Sequence, residues 1–383
     1  MATDELEDQT RTETSHIEVR QGPHELYGDI LESILSRVPL LHLVPACHVS
    51  KSWKRTGSSS LRRFHRNFKP WLIVLAQATR SPYHTTARAY DPDSHAWIDI
   101  HSQPMIGSIS TLRSSNSLLY ALSPSKFAFS TDPLHYTWHM VDAPLIWRTD
   151  PITGVVGHHI VVAGGTCDFE DDPLSVEMYD TVSKTWTRCD SIPAVLEDSA
   201  ASTWLSVAVD DSKMYVMDKG SGVTCSFDPD SSTWSGPYDL RPDETVFSAV
   251  IGFADDRLIL VGAVGSAENL EGVKLWEVNG VSFECKELVG EMPEAMVEKL
   301  KGESDCVASI GMSCMGHMVC LHNPWSPEEL ILCELAEGGC SWGSVRNAAV
   351  DDRTRMQKLV VTCSKVGLPD LHKALQVGAL RLV

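Results

Sequence analysis

The chain has no run of about eighteen apolar residues, so nothing in it reads as a membrane-spanning helix. Its eleven cysteines include no CxxC pair and no Cys/His spacing of a zinc site. They read instead as small apolar residues within strands, Cys225, Cys320, Cys333 and Cys363 above all. Residues 1–19 have no apolar segment and carry Asp4, Glu5, Glu7, Asp8, Glu13 and Glu18, which excludes a secretory signal. A disordered leader over 1–22 and reduced thiols in a cytoplasmic and/or nuclear protein are therefore expected. Basic residues are scarce, 32 Lys and Arg against 51 Asp and Glu. The deficit lies in residues 70–383, with a net charge of −20, whereas residues 1–69 carry +1. Such a domain lacks the basic footprint of a nucleic-acid binder. No phosphate-cradling glycine loop, Ser-His-Asp order or paired-carboxylate motif is recognisable, so no catalytic residue, metal or cofactor is expected.

What the chain does have is a period. Six times a large apolar residue is followed, usually seven positions later, by another aromatic. The units are Tyr90…Trp97, Phe129…Trp138, Tyr179…Trp186, Phe227…Trp234, Trp276…Phe283 and Leu335…Trp342. Their second members fall 41 to 59 residues apart, the pitch of a repeat architecture. Upstream of each lies a β-branched or Leu-rich run, at 71–76, 118–122, 160–164, 214–218, 258–262 and 318–322, and most of these have another short run before them. Asp-Pro-Asp-Ser and Asp-x5-Trp stretches supply the turns between them. Four short strands per unit, repeated radially, predict an all-β propeller of about six blades over 70–365. The first unit begins at Trp71 with no preceding inner strand. The strand-like run 357–364 has no unit of its own, so it is expected to complete blade one, leaving 366–383 as a tail.

Residues 160–165 (Ile-Val-Val-Ala-Gly-Gly) followed by Tyr179-Asp180 and Trp186 resemble the kelch repeat, whose marks are an apolar strand ending in Gly164-Gly165, then Tyr-Asp, then Trp. The other units keep fewer of these marks. The tryptophans are read as packing residues between blades, together with Tyr90, Phe227 and Phe283.

Residues 23–69 follow a helical period instead. Ile30, Leu31, Ile34, Leu35 and Val38 form an apolar stripe that Pro39 ends. Pro45 opens an expected second helix over 46–54, on which Val49 and Trp53 share a face. The string from Leu26 through Pro39, followed by Val49-Ser-Lys-Ser-Trp53, resembles the F-box, with Tyr27 where that motif has proline. Seven basic residues between Lys51 and Lys69 read as the solvated face of a linker helix.

An F-box followed by kelch repeats is similar to a plant family of ubiquitin-ligase substrate receptors. The resemblance implies a non-catalytic protein whose F-box residues Leu26, Ile30, Leu31, Ile34, Leu35, Pro39, Val49 and Trp53 bind the Skp-type adaptor of a cullin–RING ligase. The propeller would then hold a target, with chalcone synthase or phenylalanine ammonia-lyase of flavonoid and phenylpropanoid synthesis as candidates. In an antiparallel meander, loops joining second to third strands share a face with those joining blades. Those loops are long here, and Tyr83, Trp147, Arg148, Phe169 and Trp325 on them are the candidate target contacts. The segment 293–300 is expected to be a docking helix or a lid over the channel. Two other classes are a scaffold without ligase activity and a copper radical oxidase, which also uses kelch propellers. His158-His159 lacks the Tyr–Cys pair that the oxidase chemistry needs.

Overall fold

The computed structural model describes residues 28–63, 68–80, 83–101, 111–135, 137–165, 172–304, 306–350, 357–376 and 380–382, so the expected leader and Leu26 lie outside the described residues. Three helices come first: α1 (Gly28–Leu35), α2 (Leu40–Val49) and α3 (Lys51–Arg63). The apolar stripe of α1 divides: Leu31 and Leu35 are buried, while Ile30 and Ile34 face solvent. α1 packs on α3, and Ser59 Oγ donates to Glu32 at 3.0 Å. Pro45 does not open a helix but sits inside α2. The break falls at Ser50, whose hydroxyl accepts the Trp53 amide at 3.1 Å and caps α3. Val49 and Trp53 are therefore on different helices.

The rest is a six-bladed β-propeller. Blade one contributes β1 (Trp71–Ala78), β2 (Thr85–Asp91) and β3 (Ala96–Ile100). Blade two is β4 (Arg113–Ser115), β5 (Leu118–Leu122), β6 (Lys126–Ser130) and β7 (His139–Asp142), and blade three is β8 (Ile152–Val156), β9 (His159–Ala163), β10 (Val176–Asp180) and β11 (Thr185–Cys189). Blade four is β12 (Leu205–Val209), β13 (Met214–Asp218), β14 (Val223–Asp228) and β15 (Thr233–Asp239). Blade five is β16 (Val246–Ala254), β17 (Arg257–Gly265), β18 (Leu270–Val278) and β19 (Cys285–Glu291), followed by α4 (Glu294–Lys301). Blade six is β20 (Gly311–Met315), β21 (Met318–Asn323), β22 (Ser326–Ala336) and β23 (Gly339–Arg346).

The ring closes through β24 (Gln357–Ser364), which runs antiparallel to β1 from Trp71 opposite Ser364 to Ala78 opposite Gln357. It supplies the inner strand that blade one lacks, as its composition predicted. The segment after it is not a loose tail: α5 (Leu368–Gln376) leads to β25 (Leu380–Leu382), which pairs with β3 as a fifth, outermost strand. An antiparallel strand there covers an otherwise open sheet edge.

The apolar core is a set of layers between blades. One joins Val161, Val176 and Met178 of blade three to Met214, Val216 and Phe227 of blade four. Others join blades four and five, five and six, six and one, and two and three. A single four-stranded sheet cannot bury both its faces, so each blade depends on two neighbours. The helix α4 belongs to such a layer. Val297 and Leu300 are buried between blades five and six, which leaves it no apolar face for a lid or for docking.

The aromatic period follows from the turn between third and outer strands. Asp180 accepts the amides of Val182 and Ser183 at 2.7 and 3.1 Å, and Lys184 turns the chain with φ +60°. Trp186 then falls opposite Tyr179, with ring centroids 5.2 Å apart. Asp91 with His95 and Asp228 with Ser232 build the same turn, giving Tyr90–Trp97 and Phe227–Trp234 at 5.3 and 5.1 Å. Trp186 Nε1 donates to Asp142 O, and Trp234 Nε1 to Asp190 O, both at 2.9 Å, so each indole ties its blade to the one before.

The weaker units depart from this register. In blade five Asn279 builds the turn and Phe283 takes the φ-positive slot at +56°, so Cys285 stands where the others have tryptophan. Its Sγ contacts Leu240 O at 3.1 Å, the counterpart of the indole bond. Phe283 instead stacks on Tyr238 of blade four at 3.9 Å. Trp276 pairs with Leu288, Trp342 with Cys333, and Phe129 with His139 rather than Trp138.

Ending the chain at residue 356 removes β24 and all that follows. The buried Val360, Val361 and Cys363 then lose about 2 kcal/mol each, a loss comparable to the about 5–15 kcal/mol net stability of a domain. Calorimetry is expected to show no cooperative transition for that truncation. An end at residue 365 leaves the ring closed and should melt once, at a lower temperature. Trp186→Phe keeps the ring contact but removes the bond to Asp142 and should cost about 1 kcal/mol in denaturant titration.

Candidate functional site

On the helical unit the informative feature is apolar surface that its own fold leaves uncovered. Ile30 is 65% exposed and Ile34 44%, one turn apart on α1, and Val49 at the end of α2 is exposed as well. Pro39 and Trp53 are half-buried. β-Branched side chains one helical turn apart form a continuous strip suited to a protein partner. Leu31 and Leu35 are interior residues. Lys51, Lys54, Arg55 and Arg62, exposed along α3, line a groove with Ser58 and Ser59, the solvated face that their spacing predicted.

On the propeller, second-to-third-strand loops and blade connections do share one face, as an antiparallel meander requires. The connection between blades two and three is held from below by a buried ion pair. Arg148, 1% exposed, donates to Glu177 at 3.2 Å and to the carbonyls of Gly164 and Ser175, both at 2.8 Å. Glu177 also accepts the amides of Leu145 and Ile146 at 2.7 and 3.2 Å. Burial draws the Arg148 pKa below its ordinary value, while Glu177 opposes the shift. Arg148 is therefore an internal strut and not a target contact. What it presents outward is Leu145 and the half-buried Trp147.

The kelch glycines set the next piece of this face. Gly164 and Gly165 have φ of +62° and +69°. A Cβ on Gly165 would lie 2.2 Å from Asp150 C, and one on Gly164 2.5 Å from Ala200 O. Only glycine lets the end of β9 approach these two connections so closely. Asp150, held there, accepts hydrogen bonds from Arg113, Ser202 and the Thr203 amide and hydroxyl. Burial alone would raise its pKa, but these donors and the Arg113 charge hold it below the usual carboxylate range.

Of the other sequence candidates, Trp325 is 76% exposed, Tyr83 is half-buried, and Phe169 lies outside the described residues. Sequence reasoning passed over Trp204, which is 61% exposed on the connection leading into β12. With Val195, Asp198, Ser199, Asp218 and Ser221 it forms a shallow groove. The signal was available, since Trp204 falls outside the aromatic period and so has no blade-packing duty. At the opposite face, ligand atoms of His158, His159 and Asp180 lie within 4.8 Å of one another, with no cysteine or tyrosine among them. The carboxylate of Asp180 already serves its turn.

Fold and surfaces together define a class of architecture: a six-bladed propeller with long loops on one face, preceded by a small helical unit with uncovered apolar surface. Models of the F-box domain and of the kelch motif match residues 24–65 and 153–193. An F-box/kelch-repeat protein of Arabidopsis thaliana is 47% identical over 91% of this chain and 91% of its own. The chain belongs to the F-box/kelch-repeat family. F-box only protein 6 of the same plant is 24% identical over 78% of this chain and 63% of its own. Among solved structures, a chain of the nidogen/laminin complex is 10% identical with a TM-score of 0.45, covering 77% of this chain and 98% of that one.

Arg148→Ala leaves Glu177 buried without its cation and is expected to destabilise the propeller by about 3–5 kcal/mol. Chemical denaturation checks this. A loss of target capture at unchanged stability would instead make Arg148 a contact residue.

Proposed function

We propose that this protein is the substrate-recognition subunit of a cullin–RING ubiquitin ligase and has no catalytic role of its own. The F-box implies a Skp-type adaptor, and the observation that carries the reading is the strip of Ile30 and Ile34 on α1, apolar surface that the helical unit leaves to a partner, with Val49 exposed at the end of α2. The target is held on the propeller face bearing Leu145, Trp147, Trp204 and Trp325, where large rigid side chains supply interface anchors. The chemistry is proximity: holding a target near a charged ubiquitin-conjugating enzyme raises the effective concentration of its lysines. Chalcone synthase is the first target to test and phenylalanine ammonia-lyase the second, both from the family resemblance. The setting is the cytoplasm or nucleus.

The test is a paired capture experiment. Ile30→Asp with Ile34→Asp should weaken adaptor binding by about 30-fold or more, the loss of one anchor of about 2 kcal/mol. Because both residues are exposed, the melting temperature should stay within a few degrees. Leu35→Asp would unfold the unit and prove nothing. Trp204→Ala with Trp325→Ala should retain the adaptor and lose chalcone synthase. A wild-type chain that captures no Skp-type adaptor overturns the ligase reading.

A further inference from the structure

The six inner strands enclose a central channel of about 290 Å3. In a protein of net charge −19, its mouth on the long-loop face is cationic: Arg113, Lys219 and Lys358 all line it. Asp150 faces all three, and Asp218 faces Lys219. Three cations against two carboxylates leave an excess positive charge within a partly desolvated site.

The carboxylates are also occupied. Asp150 takes four donors, from Arg113, Ser202 and Thr203. Asp218 accepts the amides of Gly220 and Ser221 at 3.1 and 2.6 Å. Lys219 donates to the carbonyls of Ser202 and Thr203 at 3.1 and 2.8 Å, neutral partners that leave its charge in place. The Lys358 ammonium has no hydrogen-bond partner among the described residues, its backbone being paired in the ladder with β1. In the same channel His322 packs against Gly311, where a Cβ would lie 2.3 Å from its Cε1, and its buried Nδ1 makes no hydrogen bond.

We propose that the channel mouth is a binding site for a small phosphate-bearing molecule, an inorganic phosphate or a phosphate monoester. Lys358 supplies the free charge, Arg113 and Lys219 the surrounding field, and His322 a neutral N–H donor. A dianion offsets the excess positive charge, and its several acceptor oxygens suit donors that converge from different blades. Crowding by protein together with the Arg113 charge brings the Lys358 pKa down to about 8, while Asp150 acts the other way. Burial holds His322 at about 4, so its ring is neutral at physiological pH. An acidic side chain of a target protein carries a single negative charge and only two acceptor oxygens, so a small dianion is the better match to donors converging from several blades.

The site goes beyond the adaptor and target reading and is tested on the free full-length chain. The low pKa of Lys358 makes it react with an amine-directed reagent at pH 8 faster than exposed lysines such as Lys184, read by mass spectrometry. Inorganic phosphate, and separately phenyl phosphate, should slow labelling of Lys358 selectively and raise the melting temperature. Lys358→Gln should weaken calorimetrically measured phosphate binding about tenfold, the loss of a charge-assisted hydrogen bond, with Lys184→Gln unchanged. Tighter binding of phenyl phosphate than of phosphate would identify an ester as the ligand, and equal binding the free anion. Labelling slowed no more by phosphate than by chloride at equal ionic strength would overturn the proposal. So would protection by a glutamate-rich peptide when neither phosphate protects.

Discussion

Everything in the propeller depends on one antiparallel pairing, that of β24 with β1. It joins strands separated by most of the chain and converts an open arc of sheets into a ring. Until it forms, blade one has no inner strand and the layer of Leu72, Val74, Val361 and Cys363 against blade six does not exist. Because each blade is stabilised by two neighbours, an unclosed ring exposes apolar faces at both of its ends. The fifth strand β25 adds a second tie on the outer edge of the same blade. Residues 357–382 thus flank blade one on both its inner and its outer edge.

Between blades, the fold uses one local device several times with different residues. An Asx turn and a left-handed residue fix where the outer strand begins, and the residue two places on points across to the preceding blade. Tryptophan at Trp186 and Trp234 fills the gap and donates one hydrogen bond. Cys285 occupies the same place in blade five with a thiol, and the missing volume is made up by Phe283 stacking on Tyr238. Backbone geometry, not aromatic identity, is what repeats. A seven-residue aromatic spacing tracks it where the turn has its full length and slips where the turn shortens, as at Leu335 opposite Cys340.

The two surfaces differ in how legible they were. The strip on α1 shows in the sequence as a stripe too broad for a short helix, but which half faces inward is a packing outcome. Ile30 and Leu31 are neighbours of equal hydrophobicity with opposite fates. On the propeller, topology alone placed the recognition loops on one face. Burial then removed Arg148 from the candidates and introduced Trp204 and Leu145. An arginine on a connecting loop is ordinarily solvated, and only a buried carboxylate from a neighbouring strand could draw it inside.

The sequence by itself determined the architecture: six units at a regular pitch, a terminal strand without a unit, and a helical segment with surplus apolar surface. Those follow from local periodicity, which a linear chain records directly. Tertiary structure alone decided the strand register of the weaker units, the burial of Arg148 and the gathering of Arg113, Lys219 and Lys358 at one mouth. These cations come from blades two, four and one, far apart in the chain. Ring closure brings them together, and charges that meet only through closure leave no periodic trace along the chain.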